Sequence, residues 1–110
     1  MNWVVILAAL SGAIAVGAGA FGAHGAASEQ AAAWLKTGGE YQLIHAVAAL
    51  VAAQMGAKGS AWLFVAGGAV FAGTLYLMAL GLPKWLGAVT PLGGLALIAG
   101  WLWLAWVAAR

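Results

Sequence analysis

Four apolar stretches divide the chain. Residues 2–23, 40–56, 60–80 and 91–109 are nearly continuous runs of aliphatic, aromatic and small side chains, and about 20 such residues in a helix cross a bilayer. The pattern predicts an all-α fold, an integral membrane four-helix bundle forming a single four-span domain over residues 1–110. The joints carry turn and cap chemistry. Ser28-Glu29-Gln30 follows the first stretch, and Ser28 is suited to cap a short helix from Glu29 to about Lys36 that lies in the membrane interface with Trp34 and Leu35 facing the membrane surface. Gly38-Gly39 is expected to break this helix before the second span. Ala57-Lys58-Gly59-Ser60 reads as a tight turn with Ser60 as N-cap. Pro83-Lys84-Trp85 marks the exit of the third span, and Thr90-Pro91 reads as an N-cap followed by proline at the first helical position.

Composition strengthens the membrane reading. The chain is 66% hydrophobic and 5% charged, with a mean hydropathy of +1.05, and six charged side chains cannot clothe a soluble domain of this size. The absence of cysteine excludes disulfides, thiol redox chemistry and thiolate metal sites. No basic block exists, so nucleic acid is not an expected partner. The N-terminus has no positive region ahead of its apolar run, and that run is longer than a secretory signal requires. Trp3, Trp34, Trp62, Trp85 and Trp106 fall near span ends as interfacial anchors do, whereas Trp101 and Trp103 lie deeper. Lys58 and Arg110 on one side oppose Lys36 and Lys84 on the other, a tie under the positive-inside rule that would also permit an antiparallel dimer.

Small residues recur at spacing four. Ala9, Ala13 and Gly17 share one face of the first span and Ser11, Ala15 and Gly19 another, while Ala69 and Gly73 repeat the device in the third. Faces of this kind let membrane helices approach closely.

Polar residues stand out against this background. "EYQLIH", Glu40 to His45, places a carboxylate, a phenol, an amide and an imidazole within six residues. At 100° per residue with Glu40 at 0°, Tyr41, Gln42 and His45 fall on the same side as Ala49, Ala52 and Gly56. Leu43, Val47, Leu50 and Val51 take the other side and face lipid. Glu40 points elsewhere and is expected at the membrane boundary. Ionisable groups on an inward membrane face are candidate functional residues. The expected polar cluster comprises His24, Glu40, Tyr41, Gln42, His45 and Tyr76, at the end of the bundle that holds Lys36 and Lys84. His45 could accept a proton or contact a ligand, or it could serve an interhelical hydrogen bond that sets helix register. Two histidines and a carboxylate could hold zinc or copper, but no HxxxH or ExxH spacing supports a metal. Nucleophile elbows, Walker loops and paired carboxylates are absent, so neither an enzyme nor a cofactor is expected.

"GAFGAHG" (Gly19–Gly25), "YQLIHAVA" (Tyr41–Ala48), "FAGTLYLMAL" (Phe71–Leu80) and "LGAVTPLGGLALIAGW" (Leu86–Trp101) occur in an order and spacing that resembles the YgdD/YwdK-like group of small inner-membrane proteins, itself similar to vertebrate transmembrane protein 256. The resemblance covers essentially the whole chain. It implies a four-span protein of the bacterial inner membrane and carries no established activity or catalytic residues. It also implies that the Gly-Ala-His-Gly turn and the Tyr-Gln-x-x-His face belong to the family pattern. Two functions follow as expectations. One is binding or transport of a small solute, proton or ion through the polar cluster. The other is a structural or assembly role against a larger membrane complex. The lipid bilayer is the expected surrounding, with a homo-oligomer or larger complex as partner.

Overall fold

In the computed structural model, which describes all residues 1–110, the chain is entirely helical: α1 (Trp3–His24), α2 (Glu29–Gln54), α3 (Lys58–Ala79) and α4 (Thr90–Ala109), with a short 3-10 segment, Lys84–Ala88, leading into α4. Asn2 caps α1, its side-chain oxygen accepting from the Val5 N–H, and Ser28 caps α2 by accepting from the Ala31 N–H at 3.0 Å. These bonds satisfy amide donors that a helix start leaves free. The molecule extends over 47 × 25 × 20 Å. α2 and α3 form a central pair, α1 lies mainly on α2, and α4 lies on α3. Three of the segments are long and apolar enough to cross a membrane: α1, α3, and the 3-10 segment continued by α4.

The short interfacial helix does not exist as a separate element. Residues 29–54 form one helix of 26 residues that runs through Gly38 and Gly39, about 39 Å at 1.5 Å per residue. Both glycines are buried. A Cβ on Gly39 would meet the Ala15 carbonyl oxygen at 3.0 Å, and one on Gly38 would meet the Tyr76 ring at 2.7 Å. The pair therefore marks where α1 and α3 press against α2, and it leaves the helix unbroken. The second long helix begins at Glu29, eleven residues before the expected start at Glu40.

Two caps also differ from expectation. α3 starts at Lys58, behind an Ala57 N-cap, because the α2–α3 turn is made by Met55-Gly56-Ala57. Gly56 adopts φ +77°, a left-handed conformation open to glycine, and the Ala57 N–H bonds back to the Ala52 carbonyl. Ser60 thus lies within the first turn, and its buried hydroxyl has no partner. Thr90 begins α4 without capping it; its hydroxyl bonds across to Thr74.

The core is built largely from alanine. Val4 and Ala8 of α1 meet Ala48, Ala49 and Ala52 of α2, Ala61, Phe64 and Val65 of α3, and Leu97 of α4. Of the two small-residue faces on α1, the one through Ala15 and Gly19 meets α2, while Ala9, Ala13 and Gly17 remain exposed. Small side chains bring the helices close enough for the few polar groups between them to bond directly.

Candidate functional site

Three hydrogen-bonded pairs cross between helices. Tyr76 Oη on α3 donates to Gln42 Oε1 on α2 at 2.7 Å. Trp101 Nε1 on α4 donates to His45 Nε2 on α2 at 3.0 Å. Thr90 Oγ1 bonds to Thr74 Oγ1, which itself reaches the Val70 and Phe71 carbonyls. Each pair joins two elements, so together they fix α2, α3 and α4 in register.

The tautomer of His45 follows from its partners. An indole nitrogen only donates, so Nε2 must accept and carries no proton. Nδ1 lies 2.7 Å from the Tyr41 carbonyl oxygen, which only accepts, so Nδ1 carries the proton. Both ring nitrogens are therefore engaged by a neutral imidazole. The ring also packs among aromatics. Its centroid lies 5.6 Å from that of Phe64 and 5.8 Å from that of Trp101, and Phe64 and Trp101 are 4.8 Å apart.

The expected cluster is only partly assembled. Gln42 and His45 are buried, at 5% and 6% exposure, and Tyr76 reaches Gln42. Tyr41 lies at the edge, 46% exposed, with its ring 4.7 Å from Phe71. His24 and Glu40 are exposed and take part in none of these bonds. His24 ends α1 just past Gly22, which faces Leu35, ten residues before His45 on α2 and thus about 15 Å away along the axis. No group of three histidine, aspartate or glutamate side chains is placed to hold a metal ion. Trp101 belongs to the cluster although it was not among the candidates. The signal was there: an indole deep in an apolar span needs an acceptor, and the histidine is the natural one.

Glu40 also stands elsewhere than at the end of the helix. Gly39 backs onto Ala15 and Gly19 of α1, and Gly38 onto Ala72 of α3. Glu40 is thus about 10 Å inside the ends of α1 and α3 at helical rise, on the outer face of α2, with Lys36 and Thr37 exposed beside it.

The Tyr76–Gln42 bond carries a direct prediction. Tyr76→Phe removes one hydroxyl and leaves a buried amide oxygen unpaired, at a cost of about 1–2 kcal/mol. Chemical unfolding of the purified protein in detergent should show this as a lower midpoint, and an unchanged midpoint would mean the bond contributes nothing.

These features define a helical integral membrane protein whose interior polar groups bind one another. A family model described as a protein of unknown function, DUF423, matches residues 18–94. The chain is 37% identical to the UPF0382 membrane protein YwdK of Bacillus subtilis, over 100% of this chain and 98% of that protein. It is 41% identical to the UPF0382 inner membrane protein YgdD of Escherichia coli K12, over 91% of this chain and 84% of that one. A Staphylococcus aureus relative, the UPF0382 membrane protein SAB0533, is 37% identical over 94% and 93% of the two chains. No solved structure matches. The chain belongs to the DUF423 family, the YgdD/YwdK-like membrane proteins of unknown function, and is a protein of the bacterial inner membrane.

Proposed function

We propose that the protein is a structural or assembly subunit that docks on another membrane protein through the outer face of α2, with α2 as the fourth span. α2 lies between α1 and α3 along its length, so if those two cross the bilayer, α2 crosses with them. Glycines at the contacts, Gly39 on α1 and Gly67 against α4, support a tightly packed four-helix unit. The observation that carries the reading is Glu40: a carboxylate on the outer face, well inside the helix ends, bonded to nothing in its own chain. An acidic side chain facing lipid costs about 2–3 kcal/mol at the middle of a span and less toward its ends. Such a group calls for a partner helix that brings a cation or hydrogen-bond donor, with Lys36 and Thr37 extending the polar strip and Ile44, Val47 and Val51 continuing it as an aliphatic one. Binding or transport of a solute, proton or ion has less support, because the interior imidazole and amide are occupied by Trp101 and Tyr76, and His24 stands apart.

The test has two arms. Glu40→Leu in the isolated protein is expected to raise the unfolding midpoint, by the equivalent of about 1 kcal/mol, since the carboxylate serves nothing within the chain. In native membranes, a photo-crosslinker at Ile44 should form one discrete adduct that Glu40→Leu removes. Destabilisation by Glu40→Leu, or an adduct indifferent to it, would overturn the docking role.

A further inference from the structure

On another side of α2, a cleft of about 350 Å³ opens between α2, α3 and α4, lined by Tyr41, His45, Phe71, Leu97, Ile98 and Trp101, with Gly94 at one wall. We propose that this cleft binds a flat, ring-bearing amphiphile from the bilayer: a single ring with a hydrogen-bond acceptor such as a carbonyl, carried on an apolar tail.

Size comes first. The volume falls at the low end of the range for small-molecule sites, enough for one ring with the start of its tail and too little for a larger fused system. The cleft exists because of a missing side chain. A Cβ at Gly94 would lie 3.8 Å from the Phe71 ring, ordinary contact, so alanine would fit the backbone and anything longer would project into the space. The entrance faces outward, because Tyr41, Ile98 and Trp101 are each about half exposed, at 46%, 56% and 45%. A ligand therefore enters sideways from the lipid.

Chemistry comes from the walls. Tyr41, Phe71 and Trp101 present ring faces and edges that favour another ring in offset or edge-on contact. His45 contributes its ring but no free nitrogen, since both are engaged. The one uncommitted polar group is the Tyr41 hydroxyl, which bonds to nothing in the chain although Tyr41 lies midway along α2. Hydroxyls at membrane depth lack water and gain from any acceptor. A ring carbonyl supplies one, while an ordinary acyl chain cannot, so the hydroxyl distinguishes the two occupants. Leu97 and Ile98 offer an apolar ridge along which a tail can leave the cleft. This site is separate from the Glu40 face and does not depend on the docking role.

The experiment uses the full chain in lipid nanodiscs and a benzoquinone bearing a decyl tail as probe, with decane, which has neither ring nor acceptor, as the control. The expected result is saturable binding of one probe per chain, accompanied by a rise in melting temperature. Tyr41→Phe keeps the ring and removes the hydroxyl, and should weaken binding about tenfold. Gly94→Leu should abolish binding, whereas Gly17→Leu, where an added Cβ meets nothing within 4 Å, should leave it unchanged. Non-saturating uptake identical in all variants would mean the probe merely partitions into lipid. Equal binding of decane would make the cleft a hydrocarbon-chain groove. Binding that survives both Tyr41→Phe and Gly94→Leu places the probe elsewhere. Each of these three results overturns the proposal.

Discussion

His45→Ala is expected to destabilise the protein by about 2–4 kcal/mol. The loss has three parts. Removing the ring empties space enclosed by Tyr41, Phe64 and Trp101, and large-to-small changes in packed interiors cost about 2–5 kcal/mol when the site cannot collapse. The Trp101 indole N–H loses its acceptor, and such bonds across membrane helices are worth about 0.6 kcal/mol on average. The bond from Nδ1 to the Tyr41 carbonyl disappears as well, leaving that carbonyl with its helical partner alone. Cavity therefore outweighs hydrogen bonding, which separates His45→Ala from His45→Phe. Phenylalanine refills the space and forfeits only the bonds, so it should recover more than half of the loss. A double-mutant cycle of His45→Phe with Trp101→Phe isolates the imidazole–indole bond, and its coupling should fall between about 0.5 and 1.7 kcal/mol. Unfolding midpoints in detergent give all four corners. A loss below 1 kcal/mol for His45→Ala, or zero coupling, would mean that the pair does not hold α4 to α2.

Much of this arrangement is legible in the sequence, and the parts that are not have a common cause. The helical wheel from Glu40 turns Tyr41, Gln42 and His45 inward and Leu43, Val47, Leu50 and Val51 outward; the structure buries Gln42 and His45 and exposes the four aliphatic residues, but leaves Tyr41 46% exposed at the edge of the bundle. Periodicity suffices there because it is local. Gly38-Gly39 misleads because a glycine that ends a helix and a glycine that admits a neighbour's backbone look alike in one dimension. Away from water the backbone has no competing partner for its hydrogen bonds, so the helix penalty of glycine in solution loses its force. That one difference moves Glu40 from the expected boundary to well inside the helix ends and turns a solvated carboxylate into the most conspicuous polar group on the outer surface. The Trp101–His45 bond was hidden for a related reason: its partners are 56 residues apart, and no periodicity links α2 to α4. Thr90 reads as a cap beside Pro91, yet its hydroxyl is taken by Thr74, a partner supplied only by the packing of α4 on α3.

Gly93→Ala should be the most damaging single-atom addition in the chain, costing about 3 kcal/mol or more. Overpacking usually costs about 1–3 kcal/mol, and more where nothing can yield. A Cβ at Gly93 would lie 2.8 Å from the Gly67 carbonyl oxygen and 2.9 Å from the Phe71 Cα, with the Phe71 amide nitrogen nearer still. All three are backbone atoms of α3, so no side chain can rotate away and α4 itself must move outward. The reciprocal contact is as tight, since a Cβ at Gly67 would meet the Gly93 carbonyl oxygen, Ala96 Cβ and Leu97 Cδ2, each at 3.0 Å. Gly73→Ala is the control: an added Cβ there meets nothing within 4 Å, and alanine's better helix propensity makes the change neutral or slightly stabilising. Displacing α4 has consequences beyond the contact. Trp101, Thr90, Leu97 and Ile98 ride on the same helix, so the imidazole–indole bond, the threonine bond and two walls of the lateral cleft are all drawn apart together. Gly93→Ala should therefore lower the unfolding midpoint, release Trp101 to a lipid-like emission and abolish probe binding in one step. If the midpoint falls while Trp101 emission and the cleft stay as they were, α4 has flexed locally at Gly93, and the closest approach of α3 and α4 does not control the site.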